Sequence, residues 1–240
     1  MIREIIIIGG GSSIKEGLSL CLKEKLEGKC VFTINYAYKH FPHTCLLFGD
    51  KDFYVKTKNK DNPRTRPDIY EELAKEPLIF YTEINNGLKK FIMPNTYGLL
   101  NGEIYNTNPL KLGFYKHFLT GIWAISLAQF IMDYKGTIYL LGYDWTKKPK
   151  GKEKTETHYY TKEEINHNGI GKYQVYTSHN PSNYFDKFKE PNIKIYNVSP
   201  NSNIKEFEKI DYPTMFNKLG CGVFNQENLR QEIKAKLKLK

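Results

Sequence analysis

IREIIIIGGGSS, residues 2–13, passes from an apolar run through three glycines to two hydroxyl residues. Consecutive apolar positions (Ile2, then Ile5, Ile6, Ile7 and Ile8) read as a strand buried on both faces, at the centre of a parallel sheet rather than its edge. Behind the glycines, Ile14, Leu18, Cys21, Leu22 and Leu26 recur at helical spacing and predict one amphipathic helix. Glycines let backbone N–H groups approach a ligand, and a helix N-terminus favours negative charge. Gly9, Gly10, Gly11, Ser12 and Ser13 are therefore expected to hold a nucleotide phosphate. The third glycine of a G-x-G-x-x-G pattern is replaced by Ile14, and no Gly-Lys-Ser/Thr follows, so this is not a P-loop. A purely structural tight turn is the competing reading.

Strand and helix patterns then alternate, which indicates an α/β fold. Residues 30–35 (CVFTIN) and 45–48 (CLLF) predict the second and third strands. A helix is expected over residues 68–75, and strands over 77–82 and 90–93. Residues 95–112, rich in Asn, Gly and Tyr, read as a long loop. Residues 119–133 return to helical periodicity, starting at Thr120-Gly121 and stopping at Gly136. TIYLL (residues 137–141) is a buried strand ending in Gly142-Tyr143-Asp144-Trp145. The Lys-, Gly- and His-rich residues 146–172 are expected to form a mobile lid. A helix over 175–189, a last strand over 193–198, a short helix and a basic amphipathic helix over 226–239 complete the chain. We expect a Rossmann-like domain over residues 1–212, with a mostly parallel sheet, helices on both faces and a nucleotide at the strand C-termini. A basic helical extension covers residues 213–240.

Hydrophobic content of 40% and aromatic content of 14% describe a globular protein and exclude a disordered one. A net charge of +10 suits a polyanionic partner such as nucleic acid, an acidic surface or phosphorylated ligands. No nucleic-acid motif accompanies the charge, so that partner is not favoured. Cys21, Cys30 and Cys45 fall on expected core positions and read as reduced thiols, which implies a cytoplasmic location. No signal peptide or membrane-spanning run is read, and association into a homo-oligomer stays open.

Every expected parallel strand ends in glycine or polar residues: the turn at 9–13, Asn35, Gly49-Asp50, Tyr143-Asp144, and residues 199–202. Parallel strands bring those ends to one edge of the sheet, where α/β proteins bind ligands. Asp50-Lys51-Asp52 has the D-x-D form that holds Mg²⁺ or Mn²⁺ against a diphosphate, with Asp144 as the second carboxylate. His158, His167 and His179 lie in or beside the basic segment, and histidine suits proton transfer near neutral pH.

The segments IIIIGGGSSIKEG, TINYAY, LTGIWAISLAQFIMDYKGTIYLLGYDW, SHN and IKIYNVSPNSNIKEF occur in the order seen in bacterial lipooligosaccharide sialyltransferases. The chain resembles those enzymes and the related phage and archaeal 6-hydroxymethylpterin pyrophosphokinase-like proteins, the phage type most closely in FGDKDFY. The resemblance implies a Rossmann-like fold and a nucleotide-sugar or other nucleotide donor. It implies donor contacts at Asn35, Thr120-Gly121, Asn201 and Ser202, with Gly10 standing where the sialyltransferases have an asparagine, and His179 as the base that deprotonates a hydroxyl acceptor. His158 is the rival base, because Tyr159 and Tyr160 beside it could bring the lid onto the phosphate. The arginine that precedes the sialyltransferase Ser-Gly is Leu119 here, with Lys116 and His117 nearby. The expected activity is glycosyl transfer from a nucleotide-activated donor. The alternatives are an ATP-dependent pyrophosphokinase of the same fold and a non-catalytic, basic nucleic-acid-binding or phage accessory protein.

Overall fold

Glu4–Ile8 forms β1, and its four isoleucines are fully buried. Each contributes about 1.5–3 kcal/mol relative to exposure. Ile5 and Ile7 point into one core and Ile6 and Ile8 into another, so the strand has a packed layer on each face. The computed structural model describes residues 1–48, 72–81, 96–98, 120–145, 159 and 180–239. Within them the other strands are β2 (Val31–Ile34), β3 (Cys45–Phe48), β4 (Ile79–Tyr81), β5 (Thr96–Gly98), β6 (Gly136–Leu141), β7 (Ile193–Asn197) and β8 (Glu208–Lys209). They form one eight-stranded sheet in the order β5-β4-β3-β2-β1-β6-β7-β8, and every pairing is parallel.

The helices are α1 (Ile14–Ser19), α2 (Leu22–Leu26), α3 (Thr120–Ile131), α4 (Ser182–Phe185), α5 (Tyr212–Lys218) and α6 (Gln226–Lys236). Side chains of α3, α4 and α6 pack with Ile5 and Ile7, while α1, α2 and α5 pack with Ile6 and Ile8. This is the Rossmann-like arrangement expected, with helices on both faces. Apart from Gly121 and Phe130, all of α3 is buried, as a helix apolar all round should be. Leu229, Ile233 and Leu237 carry the C-terminal helix into the same core, and α5 begins at the expected domain boundary and runs past it. No helix among the described residues is long and apolar enough to cross a membrane.

Several elements differ from the sequence expectation. The first helix is two helices, because Cys21 takes a left-handed conformation (φ 57°) between them. That residue resets the helical phase, so Leu22 and Leu26 face the sheet while Leu18 and Cys21 are exposed rather than in the core. Cys30 and Cys45 are buried, as expected. The long loop over 95–112 contains an edge strand, β5, paired with β4. Gly136 does not stop the preceding helix. Asp133 and Tyr134 turn the chain in left-handed conformations, and Gly136 (φ 134°) opens β6 where a Cβ would lie 2.3 Å from the Arg3 carbonyl oxygen. Over 180–189 the expected long helix is the single turn of α4 followed by a 3₁₀ turn, Asp186–Phe188. The expected strand at 90–93 lies outside the described residues, as does the expected lid over 146–172 except for Tyr159.

Candidate functional site

The chain runs outward from β1 through β2 to β5, then returns to place β6 on the other side of β1. Between β1 and β6 the winding reverses, and α/β sheets bind ligands outside the strand C-termini at such a point. Two turns flank it. The Gly9 N–H donates to the Leu141 carbonyl at 2.8 Å, and the Gly11 N–H to the Gly142 carbonyl at 3.0 Å, so the turns stay zipped beyond the strands. A Cβ on Gly11 would lie 2.6 Å from the Asp144 carboxylate and the Gly142 oxygen. That contact, and the left-handed Gly142 (φ 69°), explain why glycine stands at both positions.

Asp144, 7% exposed, joins the turns of three strands. Its Oδ2 accepts from the Ser13 N–H at 3.0 Å and the Ser12 hydroxyl at 3.3 Å. Its Oδ1 accepts from the Ser13 hydroxyl at 2.5 Å and the Ser199 hydroxyl at 2.9 Å, and those hydroxyls lie 2.7 Å apart. Four donors match the four acceptor positions of a carboxylate. Of the metal pair expected from sequence, Asp144 therefore has both oxygens engaged, and Asp50 lies outside the described residues. No cluster of three metal-ligating side chains occurs among the described residues.

Neighbouring candidates gather on Tyr143. Its carbonyl accepts from the Ser202 hydroxyl at 2.7 Å and from Asn197 Nδ2 at 3.2 Å, while its own hydroxyl donates to the Gly121 carbonyl at 2.9 Å. Burial pushes the Tyr143 phenol well above its ordinary range, so it stays a neutral donor. Thr120 is the buried first residue of α3, and Asn201 is exposed beside the buried Ser202. The structure thus brings Ser12, Ser13, Asp144 and Ser199 together, and Gly121 and Ser202 beside them. Much of their hydrogen bonding is to one another.

Asn35 stands on the other flank. The pairing of Ile8 with Thr33 sets it level with Gly10. It follows β2 in a left-handed conformation (φ 52°), and its Oδ1 is buried with no hydrogen-bond partner among the described residues. Asparagine adopts the left-handed region readily, and the unsatisfied buried acceptor makes Asn35 a candidate ligand contact. Between Asn35 and Asp144, the amides of Gly9, Gly11 and Ser13 are engaged within the protein. Those of Gly10 and Ser12 carry no bond among the described residues.

Two residues, His40 and Tyr212, escaped the sequence reading of the site. Tyr159 donates its N–H to the Gly10 carbonyl at 3.2 Å and sets its ring edge-on to His40 (5.5 Å between centroids) and Phe41 (5.8 Å). His40 comes close only because a 3₁₀ turn, Asn35–Lys39, follows β2. Tyr212, fully buried behind the turn, has a hydroxyl with no partner among the described residues. Its phenol is pushed up first by burial, then by the charges of Asp144 and Glu16. No motif marks His40 or Tyr212. His158, His167, His179, Leu119, Lys116 and His117 lie outside the described residues. Comparison of the chain with family models, curated proteins and solved structures finds no match.

Proposed function

We propose that this chain is a transferase that binds a nucleotide-activated donor where its sheet reverses direction and passes the activated group, most simply a sugar, to a hydroxyl acceptor. The carrying observation is Asn35, whose buried acceptor oxygen and left-handed backbone flank the glycine turn. An acceptor requires a donor, and a ribose hydroxyl or a base amine supplies one where a phosphate oxygen does not. The nucleoside accordingly lies over Asn35 and Gly10. The resemblance assigns the acceptor's deprotonation to His179; His158, beside Tyr159 and Tyr160 in the basic segment, is the rival base. The four donors on Asp144 favour this reading over an ATP-dependent pyrophosphokinase, which needs open carboxylate oxygens for Mg²⁺. The free, buried Cys30 and Cys45 support a cytoplasmic location.

A thermal-shift panel of cytidine, uridine, guanosine and adenine nucleotides, with and without Mg²⁺, tests the reading. One nucleotide should raise the melting temperature, since a ligand at about 100 times its dissociation constant adds about 2.7 kcal/mol. Asn35→Gly should fold, because glycine tolerates the left-handed backbone, and should weaken that nucleotide about tenfold through one lost hydrogen bond. If no nucleotide shifts the wild-type protein, the proposal fails.

A further inference from the structure

We infer that Asp144 is a specificity-determining residue, a built-in anion that occupies the phosphate position of the glycine turn and keeps a ligand's phosphates off it. In a dinucleotide-binding turn the amides at the start of the helix face a pyrophosphate. Here the Ser13 amide and the Ser12 and Ser13 hydroxyls face a carboxylate carried by the protein itself. The Gly9 and Gly11 amides are taken by carbonyls of the β6 turn. Gly11 permits an approach close enough that an added methyl would overlap the carboxylate carbon. A phosphate arriving at the Gly9, Gly11 and Ser13 amides meets engaged donors and, from Asp144, a like charge within a few ångströms. Glycine, serine and carboxylate together therefore admit the nucleoside end of a ligand and turn its charged end away.

Pyrophosphate, with chelator present, is the direct probe. The wild-type protein should show no thermal shift with millimolar pyrophosphate. Asp144→Asn keeps the side chain's size, and the rotatable Ser13 and Ser199 hydroxyls can accept from its amide. It should gain pyrophosphate affinity by about tenfold or more as the like charge is removed. A merely structural role for Asp144 predicts loss and no such gain. Pyrophosphate binding by the wild-type protein, with chelator or only when Mg²⁺ replaces it, would overturn the inference, as would an Asp144→Asn protein that folds and stays indifferent. Should that variant not fold, wild-type amide spectra decide. The Gly9, Gly11 and Ser13 resonances should stay unmoved by pyrophosphate, and their movement would overturn the inference. The inference refines the nucleotide reading, but its probe is independent. A protein indifferent to every nucleotide that still gained pyrophosphate affinity on Asp144→Asn would refute that reading and keep this one.

Discussion

Tyr212→Phe removes one oxygen that is fully buried and unpartnered among the described residues. A buried hydroxyl without a hydrogen bond is a cost of folding, so the variant should be more stable by about 1 kcal/mol in urea denaturation. A loss of similar size would mean that an interior water bonds the phenol. At this scale the sequence was only partly informative. It located Ser12, Ser13 and Asp144 as polar residues at strand ends, where ligands bind. It could not tell that they bond one another, because Ser13 meets partners 131 and 186 positions away. Which strand-end group is left with an open valence is decided by the packing of three turns; among the described residues Asn35 and Asn197 each show one on the side chain.

The C-terminal helix α6 illustrates what periodicity conveys about an element. Its stripe of Leu229, Ile233 and Leu237 was legible from spacing, but not that the stripe enters the main core. Ile233 is fully buried, so Ile233→Ala should cost about 2–5 kcal/mol by chemical denaturation. A cost below about 1 kcal/mol would show α6 to be a detachable appendage. Long, strongly patterned segments such as β1, α3 and β6 were read correctly because burial on every side leaves a continuous apolar record. The break at Cys21 was not, since Ile14, Leu18, Leu22 and Leu26 fit an unbroken helix equally well, and tertiary packing selects the phase. Strands as short as β5 and β8 have too few residues to show an alternation, and their partners alone define them.

For the whole molecule, the buried thiols predict how stability responds to alkali. Burial pushes the Cys30 thiol up to about 12 and raises Cys45 as well, so both stay protonated in the fold. The unfolded chain releases those protons first. The stabilisation is complete below the ordinary thiol value of 9.0 and is lost as pH rises through the folded value, for Cys30 about 12. Unfolding free energy should fall as pH rises above the ordinary thiol value of 9.0, and Cys30→Ala should make the decline shallower; an unaltered slope would show that Cys30 is not the source. The β1–β6 pairing has a consequence for the chain's birth. The turn after β1 takes its shape from Asp144, 132 positions later than Ser12, and from Ser199 beyond it. A ribosome delivers β1, β2 and β3 long before β6, so the growing chain carries an open, isoleucine-lined strand edge while translation continues. β1 meets β2 early and waits much longer for β6. The crevice assumes its form only when Ser199 has emerged to meet Asp144.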